Sequence, residues 1–353
     1  MLRYALFRLL WVIPYSWAVI TLLFFLFTLT GDDPAQLLAG QRSDLQTVNA
    51  IRQELGLDLP VYQQYFRYLN DLSPISILTI AQVQSNNYTY YSLVALSAQR
   101  ILVLKYPYLR RSFQNNRPVA QQYFEKLHGT VILTVSALFI AGILGITMGV
   151  FGAVYRDSWA DRFMEVFAVL GISVPSYVAA ILSAWLLGLV WHEWTGLNVS
   201  GYMVRQDVWT GATFYDFSYL ILPALTLGLR PLAILYQLTR QSMTEVIGSD
   251  FVRTAKAKGL SPVMVYVRHA LRNALNPVIT SLSVWLGTLL TGAFFVEYIF
   301  NWEGIGKLTV EALLTRDYPM LLGSSIWTAM IFVFTAVLAD LVNAYLDPRL
   351  RKG

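Results

Sequence analysis

The densest cluster of charged side chains lies between Arg240 and Pro277, in the stretch RQSMTEVIGSDFVRTAKAKGLSPVMVYVRHALRNALNP. Arg240, Arg253, Lys256, Lys258, Arg268 and Arg272 stand there against only Glu245 and Asp250. Such a cluster can grip a partner, or it can simply hold a loop on the cytosolic side of a membrane. Other groups that could do chemistry are sparse. His128, His192 and His269 are scattered, and His192-Glu193 lacks the second histidine of a helical zinc pair. There is no GxSxG elbow and no Walker phosphate loop, and the absence of cysteine removes thiol catalysis and thiolate metal sites. No enzymatic activity is expected. Arg230, Glu297 and Asp340 fall inside long apolar runs. An Arg at the bilayer centre costs ~2.5–3.5 kcal/mol on insertion scales, so Arg230 needs a partner or a wet cavity. It could read a carboxylate or form a structural ion pair.

The elements that must position these groups belong to a membrane protein. The 353 residues are 56% hydrophobic and 13% charged, with mean hydropathy +0.50, whereas soluble domains run about one-quarter charged. The net charge of +5 would suit nucleic acid, but the basic residues flank apolar runs instead of forming a free stripe. No nucleic-acid partner is expected. Leu9–Thr30 carries no charge over 22 residues, about 33 Å as a helix, enough to span the hydrocarbon core. It is too long for the apolar stretch of a cleaved signal peptide, roughly 7–15 residues, and reads as an uncleaved anchor. Further crossings are expected at Val131–Tyr155, Phe163–Trp191, Tyr219–Thr239, Pro277–Phe300 and Leu321–Tyr345.

Gly142, Gly145, Gly149 and Gly152 share one face of the second crossing, where small residues let helices pack closely or make room for substrate. Pro175 in GISVPSY removes a backbone hydrogen bond from the third, and such breaks can line cavities. Residues 31–127 are too apolar for disorder and suggest a small extracytoplasmic subdomain. Within it, Asp44–Leu55 and Val61–Leu72 have helical spacing, and Leu93–Leu104 reads as a helix or a strand pair. Arg3, Arg8, Arg156, Arg162, the central cluster, Arg349, Arg351 and Lys352 fall on one side, against Arg205, Lys307 and Arg316 in the short loops opposite. That asymmetry puts both termini in the cytosol.

Within the basic stretch, Ser249-Asp250 reads as a helix start, and AKAKG as a helix end with Gly in the left-handed cap. Ser261-Pro262 starts a second helix. Two short helices at a sharp angle, flat against the membrane, are expected. DFVRTAKAKGL followed by RHALRNALNPVIT resembles the cytosolic loop of permease subunits of dipeptide and oligopeptide ABC importers. In the wider importer class this loop carries a Glu-Ala-Ala signature, here Arg253, Thr254 and Ala255, with its Gly at Gly259; the usual Ile-x-Leu-Pro is replaced by His269, Ala270, Leu271 and Arg272. LGLRPLA around Arg230, VEYIFNWEGIGKL at 296–308, TRDYPM at 315–320 and the tail DPRLRKG are similar to the same family. The stretch 73–111 looks like an expansion of it.

The resemblance implies an all-α polytopic protein with the type I ABC importer permease fold: six transmembrane helices and an extracytoplasmic subdomain between the first two. The parts would be an N-terminus and anchor over 1–30, a subdomain over 31–127, and a permease core over 128–348 that includes the coupling loop 240–276. A basic tail over 349–353 follows. It also implies the cytoplasmic (inner) membrane of a prokaryote and four kinds of partner: a second, homologous permease subunit, two cytosolic ATP-binding subunits, an extracytoplasmic substrate-binding protein and the lipid bilayer. The chain itself would bind no cofactor, ATP and Mg²⁺ residing in the partner subunits. Contact with the ATPases would fall to Asp250, Phe251, Arg253, Thr254, Ala255, Lys256, Ala257, Lys258 and Gly259, braced by Arg268, His269, Arg272 and Asn273. Ser173, Pro175, Arg230 and Glu297 would lie on the substrate pathway. Substrates of such permeases include di- and oligopeptides, nickel chelates, glutathione and oligosaccharides. The rival reading is an ion- or proton-coupled carrier working through Arg230, Glu297 and Asp340.

Overall fold

The computed structural model describes residues 2–30, 57–79, 90–97, 100–206 and 213–346, with residues 35, 46, 48, 49, 52 and 53. Most of the helix expected over Asp44–Leu55, and the basic tail, lie outside them. In chain order the helices of six residues or more are α1 (Leu2–Thr30), α2 (Val61–Leu72), α3 (Val119–Val154), α4 (Trp159–Ser173), α5 (Ser176–Ser183, running on as a π-helix over Ala184–Val190) and α6 (Ser218–Ile247). Then come α7 (Asp250–Ala257), α8 (Met264–Ala274, π-helical over Met264–Leu271), α9 (Asn276–Gly292), α10 (Phe294–Ile299), α11 (Ile305–Leu314) and α12 (Tyr318–Leu346). The strands are β1 (Ile75–Thr79), β2 (Tyr90–Ser97), β3 (Arg100–Lys105), β4 (Val204–Gln206) and β5 (Thr213–Tyr215).

Two compact units result, one of residues 1–15, 126–310 and 328–353, the other of 16–125 and 311–327. In the first, α6 is the centre: 56% of its most apolar stretch is buried, against 33% in α3. The glycine face of α3 explains part of this. A Cβ on Gly145 would lie 2.8 Å from the Leu232 carbonyl oxygen, and one on Gly149 2.5 Å from Thr239 Cβ, so only glycine permits the α3–α6 approach. Gly142 meets nothing closer than Leu282 Cδ2 at 3.9 Å and takes no such part. Around them Leu133, Ala137, Leu222, Leu227, Phe300 and Trp302 form the largest buried cluster.

The third expected crossing is not one straight helix. Val174 is forced into extended backbone (ψ 125) by the following proline, α4 stops there, and α5 leaves at a bend of 112°. α8 and α9 form a second bent pair, at 55°. By length and composition α1, α3, α6 and α12 are candidate spans, or up to six if each bent pair counts as one.

In the second unit, α2 is amphipathic as its spacing predicts. Its Tyr65 and Tyr68 pack on Phe24 at 5.4 and 5.5 Å between ring centroids, and the Thr21 and Tyr65 hydroxyls lie 2.6 Å apart. The described residues within 93–104 form strands, for Leu and Val there favour a pleated surface. β3 is the centre of an antiparallel sheet ordered β1-β3-β2, with Ile77 opposite Leu102 and Tyr91 opposite Leu104. The all-α expectation therefore describes the candidate spans and not the whole chain. Asp317 ties the unit's two chain segments together, accepting from Ser112 Oγ at 2.5 Å and from the Phe113 amide at 3.2 Å.

Candidate functional site

The basic stretch folds into α7 and α8 by a simple division of faces. Val252 and Ala255 of α7 point inward and cluster with Val265, Ala270 and Ala274 of α8 and with Met243 at the end of α6. The other face carries Asp250, Phe251, Arg253, Thr254, Lys256, Ala257 and Lys258, all exposed. Ser249 takes the extended N-cap backbone (ψ 155), but its hydroxyl donates back to the Val246 carbonyl at 2.5 Å instead of forward. Gly259 has φ +75, the left-handed value its place after AKAK predicts. The chain then turns at Ser261-Pro262, and the Val265 amide donates to the Ser261 carbonyl at 3.0 Å. Lys256 Nζ lies 5.5 Å from the centre of the Tyr266 ring, a cation–π contact bracing α7 on α8.

Thus most of the anticipated contact residues share one outward surface. Ala255 does not: it is buried and supports that surface from behind. Arg268, Arg272 and Asn273 are exposed on α8, with His269 half-buried, and Asn273 Nδ2 donates to the His269 carbonyl at 3.0 Å. α7 is not a continuation of α6, being set off by Gly248-Ser249, and α8 meets α9 through the bend at Leu275.

The four pathway candidates separate. Ser173 and Pro175 are exposed at the α4–α5 bend, and Arg230 is exposed on α6. Glu297 is fully buried on α10. Its carboxylate accepts from Thr130 Oγ at 2.6 Å and from the Gly306 and Lys307 amides at 2.7 and 3.1 Å, capping the start of α11. A Cβ on Gly306 would come within 2.9 Å of that carboxylate, and one on Gly304 closer still, which is why a Gly-Ile-Gly turn stands there. Glu297 therefore serves as a buried cap of α11. Beside it, burial alone would raise the Glu303 carboxyl, but hydrogen bonds from Lys126 and Lys307 outweigh this and hold it below the usual carboxylate range. Asp340 pairs with Arg8 at 2.9 Å.

Sequence reasoning missed Asp161. Only 1% exposed, it accepts from Arg240 Nε and Nη2 at 2.7 and 2.6 Å, from the Tyr236 hydroxyl at 3.2 Å and from the Asp157 amide at 3.0 Å. Arg240 thereby belongs to α6 and locks its last turns to the start of α4. A signal existed: Ser158-x-x-Asp161 before an apolar run is a capping pattern, and Ser158 Oγ does accept from the Asp161 amide at 3.2 Å. The pairing across 79 positions left no trace in the sequence.

With this geometry in hand, the likenesses to known proteins are informative. Residues 141–352 match the profile described as "Binding-protein-dependent transport system inner membrane component", and residues 1–134 that of the N-terminal part of such membrane components. The glutathione transport system permease protein GsiC of Escherichia coli is 32% identical over 353 residues, covering 99% of both chains. The dipeptide transport system permease protein DppB of Alkalihalophilus pseudofirmus is 32% identical over 364 residues, covering 99% of this chain and 100% of that one. Among solved structures, inward-facing MetNI, a methionine ABC transporter, matches with a TM-score of 0.52 at 11% identity, over 65% of this chain and 97% of that one. That last likeness concerns the fold alone. The chain belongs to the binding-protein-dependent transport system inner membrane components and is a multi-pass permease subunit of the ABC importer type.

Proposed function

We propose that this permease forms half of the translocation pathway of an ATP-driven importer of di- or oligopeptides, and that the surface of α7 docks on cytosolic ATPase subunits. The observation that carries the reading is the split of α7: Val252 and Ala255 anchor one face in a buried cluster, while Asp250, Arg253, Lys256 and Lys258 project from the other. Asp250 and Arg253 side chains are 97% and 74% exposed, so charged groups are held ready on a rigid support. A rigid element transmits displacement that a floppy loop would absorb. The dipeptide and glutathione permeases among the relatives favour a short substrate bearing amide bonds and carboxylates.

In this reading the chain crosses the inner membrane six times with both termini in the cytosol, each bent pair belonging to one span. Residues 31–127 form the extracytoplasmic part, and the three-stranded sheet within 73–111 is its added element. A homologous second permease completes the pathway, two ATPases hold ATP and Mg²⁺, and a binding protein delivers substrate. The chain performs no catalysis and holds no cofactor. The carrier reading loses support, because Glu297 and Asp340 are engaged in a helix cap and an ion pair.

The test is transport by the reconstituted complex bearing Gly259→Pro, or the charge swap of Asp250 and Arg253. Uptake and substrate-stimulated ATP hydrolysis should be lost while membrane insertion is kept. Uptake at the wild-type rate would overturn the coupling role, and uptake surviving ATP depletion but not loss of the proton gradient would restore the carrier.

A further inference from the structure

One face of α6 changes character at Arg230. On its outer half the helix is covered: Pro223, Thr226 and Leu227 are buried. From Arg230 onward a strip opens. Arg230, Gln237 and Gln241 are exposed, with Ile234 half-buried between them, while Leu232, Leu235 and Tyr236 on the far side remain buried. The intervals of seven and four residues put the three polar side chains on one face. From Arg230 to Arg240, where the Asp161 clamp sits, the helix rises about 15 Å, half of a hydrocarbon core of about 30 Å. Among the described residues neither Arg230 nor Gln237 has a hydrogen-bond or ionic partner, and Gln241 reaches only Glu245, at 3.4 Å.

Three surroundings are conceivable for such a strip: lipid, a dry contact with a second permease, or water. Lipid would leave a guanidinium and two carboxamides unsatisfied at depth. A dry helix contact is held either by small residues that let backbones close, as the glycines of α3 do, and this strip has none, or by polar groups paired across the seam, which would demand a buried carboxylate opposite Arg230 as well as partners for both glutamines. Water satisfies every group.

We infer that the Arg230–Gln237–Gln241 face of α6 lines the cytosolic half of a hydrated route, and that Arg230 at its inner end takes the carboxylate of a passing anionic substrate. This rests on the permease reading above. A guanidinium with no partner of its own presents a planar fork matched to two carboxylate oxygens. Gln237 and Gln241 then offer neutral donors and acceptors along the way out, so the anion need not be held by a second charge.

The absence of cysteine makes the test clean. Ile234→Cys, Gln237→Cys and Gln241→Cys, with Ala233→Cys as a buried control, are introduced singly into the assembled complex in inside-out vesicles. Each is treated with an anionic and a cationic methanethiosulfonate of similar size, and with neutral, lipid-permeant N-ethylmaleimide. The three strip positions should react with the hydrophilic reagents at least tenfold faster than position 233. Adding Arg230→Gln should lower the anion-to-cation rate ratio at position 234 at least fivefold, and Arg230→Lys should largely preserve it. Arg230→Lys serves as the charge-retaining comparison even if the neutral variant assembles poorly, since its ratio must then exceed that at position 241. Labelling by N-ethylmaleimide alone would overturn the hydrated route in favour of lipid or a dry contact. Equal reactivity with a ratio indifferent to residue 230 would overturn the anion site. ATP-dependent uptake by the same vesicles is followed in parallel, so failure of the importer reading is seen separately from failure of the strip.

Discussion

Neutralising Arg240 should destabilise the permease more than any other removal of a surface-accessible charge. Asp161 is 1% exposed and Arg240 25%, and the two share a bidentate contact of 2.7 and 2.6 Å. Arg240→Gln leaves a carboxylate in the interior with only the Tyr236 hydroxyl and the Asp157 amide to satisfy it. Breaking one side of a buried pair costs ~3–5 kcal/mol. With ~2–4 °C of melting temperature per kcal/mol for domains of comparable size, the midpoint should fall on the order of 10 °C. Asp161→Asn keeps the shape but turns an amide NH₂ toward the guanidinium, forfeiting a charge-assisted hydrogen bond of ~1.5–3 kcal/mol. In the double variant the buried charge and its unmet partner vanish together, so the loss should be less than the sum of the singles by ~0.5–3 kcal/mol. The assay is thermal unfolding in one detergent, followed by tryptophan fluorescence, for wild type, both singles and the double. A midpoint for Arg240→Gln within ~2 °C of wild type, or strictly additive losses, would show that the pair does not fasten α4 to α6.

Other perturbations separate equally well. Gly149→Ala places a methyl 2.5 Å from Thr239 Cβ and should cost ~1–3 kcal/mol by overpacking, whereas Gly142→Ala meets only an ordinary contact at 3.9 Å and should melt no lower than wild type. Glu297→Ala leaves the Thr130 hydroxyl, which still accepts from the Ile305 amide at 2.9 Å, without an acceptor for its proton and strips the Gly306 and Lys307 amides of theirs, each unsatisfied donor worth ~1–3 kcal/mol, and should lower folded yield in membranes far more than Glu297→Gln. Gly259→Ala forces a side chain into φ +75 at ~1–2 kcal/mol, and hydrogen exchange should rise across the α7–α8 turn while α3 is unchanged. The depressed Glu303 carboxyl contributes stability that is complete above the ordinary carboxylate pKa of about 4.3 and is lost as pH falls through its lower folded value. Glu303→Gln should therefore narrow the gap in melting temperature between pH 6 and pH 3.

Much of this protein is legible in one dimension because a bilayer imposes one-dimensional rules. Apolar runs long enough to cross the membrane mark α1, α3, α6 and α12, and the amphipathic spacing of Val61–Leu72 marks α2. Gly259 and Ser261-Pro262 punctuate α7 and α8 through local backbone preference alone. What depends on neighbours brought together in space was not legible. Pro175 announces a break, but the 112° of the bend cannot be read from it. The described residues within 93–104 became strands because β3 found partners on both edges. Glu297 sits in an apolar run as a pathway residue would, yet the chain folds the Gly306 and Lys307 amides onto it. Arg240 reads as one more loop cation until Asp161 is seen beneath it. Local preference and hydropathy act through each residue and its immediate neighbours, whereas burial and pairing exist only once distant segments meet.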